Sequence, residues 1–186
     1  MDAFSYLAVL FSVVLGLALT QILQGLRTLM LARNRVQIYW PQLVWAALLS
    51  LIVAQDWWSM FGMRFVHDWT FAMYAIVLLQ VTLIYMTAAL ALPEIERDGT
   101  VDMRKSYFEH ARWFFGLLAA AVVVSPMKDL VFNVTLPSVE NLIFHLVFLV
   151  TVIIAALTQS RRYHSIAAPF IMAVFVAYIV LLFAKL

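Results

Sequence analysis

Six apolar runs, each about 20 residues long and joined by short connections, constrain this chain more than any other feature. About 20 apolar residues in a helix rising 1.5 Å per residue match the roughly 30 Å hydrocarbon core of a bilayer. Charge, proline and tryptophan place the runs at about 4–23, 41–60, 69–92, 107–130, 138–158 and 166–184. Pro41, Pro93, Pro137 and Pro169 are expected at the first turn or edge of a span, where a missing N–H costs little. Pro126 is expected to kink or end the fourth.

Composition agrees. The chain is 66% hydrophobic and 12% charged over 186 residues, whereas an average soluble domain is about 45–50% apolar and about 25% charged. Six spans use about 120 positions and leave under about ten residues per connection. That excludes a nucleotide-binding fold, a globular hydrolase and a DNA-binding module. A formal charge of +2 is too small for a nucleic-acid binder. With no cysteine there are no disulfides, thiolate metal sites or cysteine nucleophiles. The first run lacks a basic flank and outlasts a signal peptide, so it is expected to stay as a helix. The expected fold is all-α: one polytopic domain over 1–186, six transmembrane helices and no soluble domain.

Lysine and arginine orient such a bundle. Nine of the twelve fall in alternate connections: Arg27, Arg33 and Arg35; then Arg97, Arg104, Lys105 and Arg112; then Arg161 and Arg162. Arg64, Lys128 and Lys185 fall on the other side. The positive-inside rule therefore expects both termini outside and the basic connections in the cytoplasm. The aromatic residues Tyr39, Trp40, Trp45, Tyr107, Trp113 and Tyr163 then fit an inner interfacial belt, and Tyr6, Trp57, Trp58, Trp69 and Tyr74 an outer one.

Two constellations are candidates for function. On the first helix, Ser12, Gly16 and Thr20 recur every four residues, within a longer ridge from Ala8 to Gln24. Small residues let backbones approach closely in lipid, which suits either packing within the bundle or a contact between subunits. The second constellation is polar. Charge at the centre of a bilayer costs at least about 2.5–3.5 kcal/mol, so polar groups inside spans point to sites. Depth counting puts Gln80 near the midplane and Asp56, Lys128, Asp129 and His145 in the outer half, on three further helices. A shared hydrated cavity would satisfy them together. Separately, Asp56 could snorkel, Lys128 and Asp129 could form an end-of-helix pair, and His145 could be a bonded interior residue.

No catalytic constellation emerges. His67, His110, His145 and His164 show no pairing at metal-ligand spacing, and Ser125, His145 and Asp56 match no hydrolase motif. No metal, cofactor or enzymatic activity is expected.

The stretch from Ser12 to Leu26, followed by a basic turn, then Tyr39-Trp40-Pro41-Gln42-Leu43-Val44-Trp45 and Trp57-Trp58, resembles a group of small bacterial inner-membrane proteins of unassigned activity. The resemblance covers about a third of the chain. It implies a six-helix bundle in the bacterial plasma membrane and carries over no site residue. The expected function is an ion or small-solute channel or transporter with a polar outer cavity. The alternative is a non-catalytic accessory, assembly or sensing subunit. Membrane lipid is the expected surrounding, with a second copy or another membrane protein as partner and no nucleic acid.

Overall fold

A computed structural model describes residues 3–95, 100–133 and 137–182. Six helices fill it: α1 (Ala3–Leu31), α2 (Trp40–Met60), α3 (Phe71–Ala89), α4 (Met103–Asn133), α5 (Val139–Leu157) and α6 (Arg161–Leu182). Each is long and apolar enough to cross a membrane.

Their ends follow from capping chemistry. Thr70 accepts from the Met73 N–H at 3.3 Å to open α3, and Ser138 accepts from Asn141 N–H at 3.3 Å to open α5. Asp102 Oδ1 accepts from the backbone of Arg104 (2.9 Å) and Lys105 (3.2 Å), so α4 begins four residues before its apolar run. Likewise α6 begins at Arg161, next to Ser160, and this places Pro169 in the helix interior rather than in its first turn. Pro126 does not end α4 either, which continues to Asn133. A proline inside a helix offers no N–H to the carbonyl four residues back, so Val122 and Ser165 lose their helical partners. Residues Arg97 and Lys185 lie outside the described residues.

The helices form a closed circuit in which α1 meets α3, α3 meets α4, α4 meets α5, α5 meets α6, and α6 returns through α2 to α1. α2 also touches α3 and α4 and is the most enclosed, with 39% of its apolar window buried against 22% for α1. A pairing unseen in the sequence closes the basic end. β1 (Val36–Gln37) lies parallel to β2 (Val101–Asp102), with Val36 opposite Val101, and ties the connection before α2 to the one before α4.

The exterior is apolar. Val9, Val13 and Leu17 of α1 and Ile143, Leu146, Val150 and Leu157 of α5 are exposed. So large an apolar surface is consistent with an integral membrane protein.

The inward face of α1 is not the small ridge. Phe11, Leu15, Ala18 and Ile22 are buried, whereas Gly16 and Thr20 are exposed and Ser12 is half-buried, accepting from the Trp57 indole at 3.4 Å. A Cβ at Gly16 would meet nothing within 4 Å, so the expectation that this ridge packs within the bundle is corrected. The close approach is at Gly25, where a Cβ would stand 2.8 Å from Leu92 Cδ1 and 2.9 Å from its Cβ. Gly25→Val should therefore destabilise the monomer by about 1–3 kcal/mol through overpacking, and Gly16→Leu should leave it unchanged. Thermal unfolding of the two purified variants checks the pair. Equal losses would place both glycines in the same kind of packing.

Candidate polar cavity

α2 runs from the basic end toward the far end, and its last two turns carry Gln55, Asp56 and Ser59. Asp56 is 4% exposed, and Lys128 of α4 donates from Nζ to its Oδ1 at 3.2 Å. The end-of-helix pairing of Lys128 with its neighbour Asp129 is thus replaced by a bridge between helices. Such a buried pair is weak grounds for stability, because the attraction only roughly repays the desolvation of two charges.

Around this pair the structure gathers the polar groups singled out in the sequence. One cavity, of about 240 Å³, is lined by Asp56, Lys128, Asp129, Asn141 and His145 and lies toward the far end. A deeper one, of about 70 Å³, is lined by Asp56, Gln80 and His145 over a floor of Ile84, Leu118, Phe148 and Phe175. The two share Gln55, Asp56, Ser125, His145 and Tyr178, so they are the wide and narrow parts of one polar recess. A water needs about 10–15 Å³ of such space, so even the narrow part has room for several.

The bonding around the recess leaves acceptors free. Asp56 Oδ2, Gln80 Oε1 and Asn141 Oδ1 are buried without a hydrogen-bond partner. His145 bonds through Nδ1 to the Asn141 carbonyl at 2.9 Å, so Nδ1 carries the proton and Nε2 the lone pair. Its ring meets Tyr178 edge to face at 5.7 Å. Val122, whose carbonyl lost its helical donor to Pro126, lines the deep part. Three orphaned oxygens on α2, α3 and α5 call for donors that the described residues do not supply.

A second polar cluster, at the basic end, escaped sequence reasoning. Tyr39, Trp45 and Tyr107 are buried, at 4%, 0% and 5% exposure, and do not belong to an interfacial belt. Trp40 and Trp113 do point outward. His164 is fully buried, donates from Nε2 to the Thr158 carbonyl at 3.0 Å, and accepts at Nδ1 from the Tyr107 hydroxyl at 2.8 Å. Burial also holds the Tyr39 phenol above its ordinary range, against the pull of Arg161 and Arg104. Only the spacing of Tyr107 among Ala111, Phe114 and Leu118, all buried on α4, carried a sign of this.

Among the described residues no group of acidic or histidine side chains is arranged to hold a metal. No family model, curated protein or solved structure matches the chain.

Proposed function

We propose that this chain is a non-catalytic, multi-pass protein of the bacterial inner membrane that passes an ion or small polar solute through the recess headed by Asp56 and Lys128. The basic end faces the cytoplasm in this reading and both termini lie outside, because the arginine-bearing connections share one end of the bundle. One observation carries the proposal: three unpartnered buried oxygens, those of Asp56, Gln80 and Asn141, line a single recess. Acceptor oxygens of this kind replace the hydration shell of a permeant. Lys128 neutralises Asp56 and keeps a cation from being trapped there.

The recess stops short of the basic end. Leu48 and Leu49 of α2, Ile84 of α3 and Phe115 and Leu118 of α4 are fully buried below it. Along α2 the dry stretch from Ile52 to Trp45 is seven residues, about 10 Å. Passage therefore requires the plug to rearrange, which favours a gated carrier over an open pore. The interior prolines of α4 and α6, each missing a helical hydrogen bond, supply the compliance.

The exposed Ser12, Gly16 and Thr20 face favours a second reading, an accessory subunit that packs this ridge on a second copy or another membrane protein.

Proteoliposome flux for cations, anions, protons and small polar solutes separates the two. Parent protein should exceed empty vesicles for at least one solute, and Asp56→Asn, which keeps shape and removes charge, should lower that flux at least about tenfold. A cysteine at Gly62 in the cysteine-free chain should react with an impermeant reagent from outside intact cells. Absence of parent flux across the panel would sink the transport reading and leave the accessory one.

A further inference from the structure

The basic end holds a cavity of its own, of about 290 Å³, between the start of α2, the end of α3 and the first turns of α4. It is separate from the recess around Asp56 and shares no lining residue with it. Two side chains on its wall are almost completely enclosed, Gln42 at 3% and Trp45 at 0% exposure, and each has an unused polar atom. Gln42 Nε2 donates to the Ala91 carbonyl at 3.1 Å. That bond fixes which way the amide faces and leaves Oε1 as the free acceptor. The Trp45 indole N–H lies close enough to the Tyr107 hydroxyl to interact with it but makes no hydrogen bond among the described residues.

Gln42 and Trp45 are three residues apart on one helix, and therefore on one face of it. The site thus offers an acceptor and a donor side by side, each buried, on a wall of aromatic rings that includes Phe114. Among the described residues that line it, Glu94 is the charged one and neither Lys nor Arg is present, which disfavours an anion. On the same wall His110 donates from Nδ1 to the Ser106 carbonyl at 2.9 Å.

We infer that this cavity is a binding site for a small, uncharged, planar molecule carrying an N–H donor next to a carbonyl acceptor, an amide edge on a ring. The ligand's carbonyl accepts from Trp45 Nε1, and its N–H donates to Gln42 Oε1. Its ring lies among Trp45, Phe114 and Tyr107. A site with buried polar groups rejects an analogue that leaves one of them unpaired. The inference is independent of transport through the Asp56 recess.

Benzamide and acetophenone test it, since they share size and carbonyl and differ in the N–H. Titration calorimetry on the full chain in nanodiscs, with protein-free nanodiscs subtracted, should show saturable benzamide binding. Acetophenone should bind at least about tenfold more weakly, and benzoate more weakly still. Gln42→Leu should erase the preference for benzamide over acetophenone. The ligand series on the parent protein keeps the inference testable if that variant fails to fold. Equal binding of benzamide and acetophenone, a preference that survives Gln42→Leu, or saturable binding of neither would overturn it, the last leaving water as the only occupant.

Discussion

Lys128→Met should be the most damaging single change near the recess, lowering stability by about 3–5 kcal/mol. The substitution keeps most of the side-chain volume but leaves Asp56, 4% exposed and with Oδ2 already unpartnered, as a buried charge without its cation. The double variant Asp56→Leu/Lys128→Met removes both charges, and its stability should return to near that of the parent, because well-packed apolar residues replace a buried ion pair at little cost. Function should not return with it. If the pair serves the permeant, the double variant stays inactive in flux while folding normally. Thermal or denaturant unfolding of the three proteins, alongside the flux assay, separates these effects. Parent-like stability in Lys128→Met would show that Asp56 is hydrated from the recess rather than dependent on Lys128.

The second large effect is expected at the basic end. His164→Leu removes the acceptor of the buried Tyr107 hydroxyl and the donor to the half-buried Thr158 carbonyl. Leaving the buried Tyr107 hydroxyl unpaired costs about 1–3 kcal/mol and losing the half-buried Thr158 bond adds about 0.5–1.5 kcal/mol, so the loss should be about 1.5–4.5 kcal/mol. Tyr107→Phe alone orphans only His164 Nδ1 and should cost less. The double variant Tyr107→Phe/His164→Leu should be less destabilised than the sum of the two, by about 0.5–3 kcal/mol, since the hydroxyl no longer needs a partner. Strict additivity in that cycle would mean that the hydroxyl and imidazole do not interact. The bond matters for architecture because it joins α4 to the start of α6, while the Thr158 contact ties in the end of α5.

How much of the molecule could be read beforehand follows from how polar groups behave without water. A backbone leaving water must satisfy its own N–H and C=O groups, so long apolar runs become helices whatever else surrounds them. The count of six and the approximate position of each helix along the chain are therefore legible in the residues. So is the position of Asp56, Gln80, Lys128, Asp129 and His145 along their helices, because it is a count of residues from a helix end at 1.5 Å each. Boundaries were less legible. α4 and α6 start four and five residues before their apolar runs, where Asp102 and Ser160 provide caps that hydropathy does not register.

Rotation about each helix axis was the quantity hidden from the sequence. In a soluble helix a polar face and an apolar face mark outside and inside. Here both faces of α1 are apolar, and nothing in the order of residues told that Phe11, Leu15, Ala18 and Ile22 turn inward while Gly16 and Thr20 turn out. For the same reason Trp45 and Tyr107 read as interfacial anchors by their depth, yet their rotation carries them into the core. Partner choice was hidden too. Lys128 stands next to Asp129 in the chain but bonds Asp56, 72 residues away, because α2 also packs against α4. The sequence by itself determined that this chain makes six apolar helices and how far from its ends each carries polar groups, since both follow from local composition and residue count. Tertiary packing alone decided which of those groups meet, because in an apolar surrounding the rotation and neighbours of each helix are set by side-chain fit and by the few hydrogen bonds available, not by a contrast with water.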